Sequence, residues 1–181
     1  VVLVFYLSQS LPTIEQISSR QVSQSTKIFE RTGSILLYEI SKGGERTIVS
    51  FEKIPKYLKD ATISIEDERF YEEPAFDWKG ILRAFVVNLR NQRTLQGGST
   101  ITQQLARNAF LTADQTIARK IKEIILAVKI NKYYSKNQIL ALYLNEIPYG
   151  ATAYGGEAAS EEFFDKPVSD LNLAESALIA A

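Results

Sequence analysis

The sequence contains no cysteine, no histidine and no methionine in 181 residues. Without cysteine there can be no disulfide, no thiolate metal site and no thiol nucleophile. Without histidine the commonest general base and metal ligand is missing, so proton transfer near neutrality falls to carboxylates, lysine or tyrosine. An excess of either charge is lacking too. The 21 Lys and Arg residues balance 21 Asp and Glu, which removes the bulk positive field that draws nucleic acid and leaves any anionic ligand to local basic side chains. The apolar opening Val1–Leu7 is far short of the about 20 residues that cross a bilayer as a helix. It reads either as a buried core element or as the stub of a truncated membrane anchor, and the polar Ser8–Gln9–Ser10 behind it suits emergence into water. The apolar pattern still running at Ala177–Leu178–Ile179–Ala180–Ala181 suggests a cut at that end as well.

What is present is the composition of an ordinary globular domain, 45% hydrophobic and 23% charged. Residues 8–26 read as a linker with helical turns. Lys27–Glu30, Arg31–Ser34 and Ile35–Ile40 read as strand, turn and strand, and a second turn at Lys42–Gly43–Gly44 leads to an extended run from Arg46 to Phe51. From Pro55 the pattern is helical, with Leu58, Ala61, Thr62, Ile65 and Arg69 on one stripe and Glu66 next to it. Further helical stretches run from Trp78 to Leu89, from Ser99 onward, through Ile117, Ile121, Ile124, Ile125 and Val128, and through Ile139 to Leu144. The body is mainly α, with a short N-terminal β element and one domain over residues 27–181.

Three segments carry candidate chemistry. Glu66–Asp67–Glu68–Arg69–Phe70–Tyr71–Glu72–Glu73 crowds carboxylates beside an apolar stripe, and crowding and partial burial both disfavour the charged form, as a base working near neutrality requires. Taken alone, the run reads more readily as a solvated helix end, since such charge runs are usually surface. Gly97–Gly98 breaks the chain and lets backbone approach a ligand, Ser99 or Thr100 is placed to cap the helix that follows, and Thr102, Gln103, Gln104 and Arg107 come next. In Arg119–Lys120–Ile121–Lys122–Glu123, Arg119 and Glu123 share a helix face at i, i+4, a pair worth a few tenths of a kcal/mol when exposed, roughly. Helix N-terminal N–H groups, Arg and Lys together could form an anion site.

Glu66–Asp67–x–x–Phe70 resembles the first motif of the family 51 peptidoglycan glycosyltransferases of class A penicillin-binding proteins. Gly98–Ser99–Thr100–Ile101–Thr102–Gln103–Gln104 resembles the second and Arg119–Lys120–x–x–Glu123 the third. Ile139–Leu140–x–x–Tyr143–Leu144–Asn145 is similar to the fourth, and Gly155–x–Glu157–Ala158–Ala159 with Phe163–Phe164–x–Lys166 to the fifth. They occur in family order over roughly residues 28–181. The family usually has His and Gly where this chain has Glu73 and Ala75.

The resemblance implies a lysozyme-like large lobe and a smaller membrane-associated jaw lobe drawn from the stretch between Ile81 and Leu95. It implies polymerisation of lipid II, by inverting transfer from an undecaprenyl-pyrophosphate donor to the 4-hydroxyl of the N-acetylglucosamine of lipid II. Glu66 would be the base. Glu123 would serve the leaving-group side, either by placing a divalent cation such as Mg or Mn or by orienting Arg119 and Lys120. Arg83 and Arg107 would meet phosphate, Ser99, Thr100, Gln103 and Gln104 would meet sugar or phosphate, and Asp67 and Phe70 would hold the Glu66 segment. Tyr143, Leu144, Asn145, Ala158 and Ala159 would pack. The implied setting is the extracytoplasmic face of the bacterial cytoplasmic membrane, with a transpeptidase domain following in the same protein, moenomycin-type inhibitors and no nucleic acid. A lysozyme-like glycan-cleaving enzyme and an inactive membrane scaffold are the competing readings. The clustered basic residues favour a pyrophosphate donor over the first, and the presence of both Glu66 and Glu123 speaks against the second.

Overall fold

The computed structural model describes residues 7, 9–13, 16–17, 26–40, 45–72, 99–112, 116–150 and 152–181. Within them the chain is mainly helical. It divides into two units, one of residues 1–19 and 62–143 and one of residues 20–61 and 144–181. The expected helix from Trp78 to Leu89, the jaw stretch from Ile81 to Leu95, and Arg83, Glu73, Ala75, Gly97 and Gly98 lie outside the described residues.

In the second unit, β1 (Thr26–Phe29) and β2 (Leu36–Ile40) form the expected antiparallel hairpin, with Thr26 opposite Ile40. Its turn is built by Glu30, whose carboxylate accepts from the N–H of Thr32 at 2.7 Å and of Ser34 at 3.0 Å and from the Thr32 hydroxyl. These bonds favour the charged carboxylate and lower its pKa to about 2. Gly33 sits at φ +80, the left-handed region the turn requires. The third extended segment differs from expectation. Only β3 (Glu45–Arg46) joins a ladder, in parallel with the distant β4 (Ala153–Tyr154). Farther along, Asn145 takes the place of a neighbouring strand: Val49 N–H donates to Asn145 Oδ1 at 2.9 Å, and Asn145 Nδ2 donates back to Val49 O at 3.1 Å. A side-chain amide presents an N–H and a carbonyl oxygen side by side, so it satisfies both backbone groups of Val49.

Helix α1 (Lys56–Glu66) follows, with Ile54 and Leu58 buried before and within it. At Gly155 the backbone has φ +85, and an added Cβ would stand 2.8 Å from the Asn145 carbonyl oxygen. Only glycine fits there. In the same unit, Glu157 accepts from the Val168 N–H at 2.8 Å, and a reciprocal capping box joins Asn172 to Glu175. The core here is Ile54, Leu58, Ala158, Ala159, Val168, Leu171 and Ile179, so Ala158 and Ala159 pack as expected.

The first unit is built on α2 (Ile101–Phe110), α3 (Ile117–Tyr133) and much of α4 (Lys136–Glu146). Thr100 caps α2, accepting from the Gln103 N–H at 3.3 Å, and Thr116 caps α3, accepting from the Arg119 N–H at 3.1 Å. Ser135 and Gln138 cap α4 reciprocally, N–H to side-chain oxygen, at 2.8 and 3.3 Å. Ile101, Leu105 and Ala106 of α2 and Ile139, Leu140 and Tyr143 of α4 are buried. The buried stripe of α3 is Glu123, Leu126, Ala127 and Ile130, spaced i, i+3, i+4, i+7, whereas Ile117 and Val128 are exposed. The apolar stripe expected on α3 is therefore exposed at Ile117 and Val128 and only half-buried at Ile121, Ile124 and Ile125, while a satisfied carboxylate takes an inward position that hydropathy assigns to solvent.

Candidate active site

Glu66 is the last residue of α1, and its side chain is exposed. The apolar stripe expected beside it stops at Thr62: Ile65 is 54% exposed, and Arg69 lies beyond the helix in solvent. What fixes Glu66 is polar. Its Oε2 accepts from Gln104 Nε2 at 2.5 Å, and Gln104 Oε1 in turn accepts from the Tyr143 hydroxyl at 3.1 Å. Burial first, and then the nearby Glu66 carboxylate, push the Tyr143 phenol well above its ordinary range, with Arg107 partly opposing. The hydroxyl therefore stays protonated and remains a donor.

Asp67 and Phe70 hold this segment to the protein. Asp67 Oδ2 accepts from the Ile101 N–H at 3.1 Å, satisfying an otherwise orphan donor in the first turn of α2. Phe70 is 1% exposed, meets the Tyr71 ring edge-on at 5.2 Å, and carries the Lys136 ammonium 4.7 Å from its own centroid. Tyr71 adds a hydrogen bond to Asn137 Oδ1 at 3.0 Å. The base candidate thus ends its helix directly before a clamped turn.

A second cluster surrounds Lys120. Its ammonium donates to Ser99 Oγ at 2.6 Å, to Gln103 Oε1 at 3.2 Å and to Glu123 Oε1. Three donors meet three acceptors. The Glu123 side chain is 1% exposed and that of Lys120 37%, so the pair is a buried carboxylate held against a cation that still reaches solvent. The two clusters share one scaffold, since Gln103 serves Lys120 while its neighbour Gln104 serves Glu66. Adjacent side chains on a helix diverge by about 100°. One turn of α2 therefore fixes a carboxylate on one side and an ammonium on the other.

Other expected residues are placed differently. Thr100 is buried and spends its hydroxyl oxygen on the helix cap, and Gln103 is fully buried, so both act through the scaffold. Arg107 lies in the last turn of α2, with Nε directed to Asn108 Oδ1 at 3.4 Å. Arg119 lines a cavity of about 260 Å³ together with Leu7, Leu11, Phe110, Leu111 and Lys122. Glu123 is bonded to Lys120 at i, i+3. The donor set at Glu123 does not fit a divalent cation. One of its oxygens already faces an ammonium, and among the described residues no group of three acidic side chains gathers to hold a metal.

Sequence reading missed Tyr143, which it assigned to packing. Tyr143 does pack, at 2% exposure, but its hydroxyl lies in the polar chain that ends on Glu66. The one available signal was a phenol inside an apolar helical stripe, since a buried Tyr usually directs its hydroxyl to a partner.

The sequence matches the Transglycosylase family over residues 33–181. It is 52% identical over 139 residues to penicillin-binding protein 1A of Clostridium tetani, an alignment covering 75% of this chain and 18% of that protein. It is 41% identical to penicillin-binding protein 1A of Aquifex aeolicus over 100% of this chain and 25% of the relative, and 41% identical to that of Pseudomonas aeruginosa over 97% and 21%. The chain thus spans a quarter or less of these relatives' length. With Glu66 and Lys120 both bonded to side chains of α2 and the match running through all the motifs, the chain belongs to the transglycosylase family, the peptidoglycan glycosyltransferase domains of class A penicillin-binding proteins.

Proposed function

We propose that this domain polymerises lipid II at the extracytoplasmic face of the bacterial cytoplasmic membrane, transferring a growing glycan from its undecaprenyl-pyrophosphate carrier to the 4-hydroxyl of the acceptor N-acetylglucosamine. The observation that carries this reading is the placement of Glu66 and Lys120 by successive residues of α2. Glu66 accepts the proton of the acceptor hydroxyl as its oxygen attacks the anomeric carbon of the donor. The bond to pyrophosphate breaks on the opposite face, so configuration inverts from α to β. Charge gathers on the departing pyrophosphate, and the Lys120 ammonium meets it.

Glu123 holds that ammonium in place, and Ser99 and Gln103 complete its shell. Arg107, and Arg83 beyond the described residues, supply further positive charge for phosphate. Moenomycin-type inhibitors would compete at this basic cluster, and a transpeptidase domain would follow in the same protein. A glycan-cleaving enzyme needs a carboxylate but has no pyrophosphate for Lys120 to neutralise.

The test is Glu66→Gln, incubated with lipid II in detergent and scored for polymer. The amide keeps the side chain's shape but cannot take the proton, so polymerisation should vanish while lipid II binding persists. Polymer formed at near the wild-type rate removes Glu66 from the base role.

A further inference from the structure

Gln104 has a choice that Glu66 cannot tolerate. A side-chain amide fits the same space in two orientations, related by exchange of its oxygen and nitrogen. In one, an N–H faces the Glu66 carboxylate; in the other, the amide oxygen does, and two acceptors repel. Nothing in Gln104 itself selects between them. The Glu66 carboxylate, which can only accept, selects the first and takes the N–H at 2.5 Å, and the Tyr143 hydroxyl donates to the Oε1 that this leaves facing it at 3.1 Å, pinning the far end of the amide.

We propose that Tyr143 is a positioning residue for the acid–base carboxylate, its hydroxyl anchoring the far end of the Gln104 amide so that the N–H facing Glu66 is held in one place. The proposal rests on the reading of Glu66 as the base. Three features support it. Tyr143 is 2% exposed, so bulk water does not readily replace its hydroxyl at Gln104. Burial and the neighbouring Glu66 both keep the phenol protonated, so it donates across the neutral range. Among the described residues Gln104 is the side chain hydrogen-bonded to the exposed Glu66 carboxylate, so its position aims that carboxylate.

The contribution is separable from packing, because phenylalanine keeps the ring and deletes the donor. The experiment measures lipid II polymerisation with the full chain for wild type, Tyr143→Phe, Gln104→Ala, the double variant and Glu66→Gln. Tyr143→Phe should lower kcat by about tenfold, the scale of one hydrogen bond, with KM little changed. The double variant should be no slower than Gln104→Ala alone, because Tyr143 acts through Gln104. A Tyr143→Phe kcat within about twofold of wild type, or losses that multiply in the double variant, would overturn the proposal. A packing role would instead lower the melting temperature and leave the kcat of the folded fraction intact. If Tyr143→Phe folds poorly, Gln104→Glu provides the second test: a carboxylate in place of the amide should depress kcat at neutral pH as strongly as Gln104→Ala, and a wild-type kcat there counts against any aiming role for this position. Glu66→Gln separates the two readings. Its activity would refute the base assignment, whereas its inactivity beside a fully active Tyr143→Phe would refute only the role of Tyr143.

Discussion

Lys120 and Glu123 form an ion pair with one end buried and one end wet, and this asymmetry decides how the pair should be probed. Lys120→Ala strands a fully buried carboxylate, a change that costs a few kcal/mol, roughly, whatever the catalytic role. Lost activity in that variant is therefore ambiguous. Lys120→Gln combined with Glu123→Gln removes both charges and keeps hydrogen-bonding groups in both places. We expect this double variant to melt near the wild-type temperature, to polymerise roughly one to two orders of magnitude more slowly and to bind moenomycin more weakly. Unchanged rate and inhibitor affinity would remove Lys120 from the pyrophosphate. Much of this cluster was legible in the sequence, because Glu66, Asp67, Ser99, Gln104 and Lys120 stand in motifs of fixed spacing. The choice of partner for Glu123 was not. Helical spacing shows that positions 119 and 120 can both approach position 123, but only packing decides which side chain turns inward.

Among the elements, the β1–β2 hairpin and the α2 cap were readable from local chemistry, a Gly-containing turn in one and a Ser-Thr pair before an apolar residue in the other. The β3–β4 ladder was not, since its strands lie more than a hundred residues apart and each contributes two residues, too few for any alternation to show. The α3 stripe misled because hydropathy cannot register that Lys120 neutralises an inward carboxylate. The hairpin turn makes a pH prediction. A carboxylate whose pKa is lowered on folding supports the fold above its ordinary value of 4.5, and that support is lost as pH falls toward about 2. Amide resonances of Thr32 and Ser34, followed by NMR, should titrate with a midpoint near the lower value, and a midpoint at 4.5 would mean that Glu30 does not hold the turn. At the start of α5 (Gly156–Phe164), Gly155→Ala would combine a left-handed backbone with a Cβ driven against the Asn145 carbonyl. The expected loss is about 1–3 kcal/mol or more, read as a fall in melting temperature. An unchanged melting temperature would show that this turn relaxes freely.

At the scale of the molecule, no helix among the described residues is long and apolar enough to cross a membrane. In the proposed function donor and acceptor both carry undecaprenyl tails, and such substrates call for apolar protein surface at the bilayer. The purified chain should therefore float with liposomes in a density gradient, and a chain that stays at the bottom would count against the membrane-surface reading without touching the chemistry. The hydrogen bond from Ile101 to Asp67 has a consequence of another kind. It joins residues 34 positions apart. It ties the residue that follows the base candidate to the first turn of α2, the helix that carries Gln104. The distance between Glu66 and Gln104 is thereby gauged by one short contact at Asp67, and the length of chain between them does not enter it.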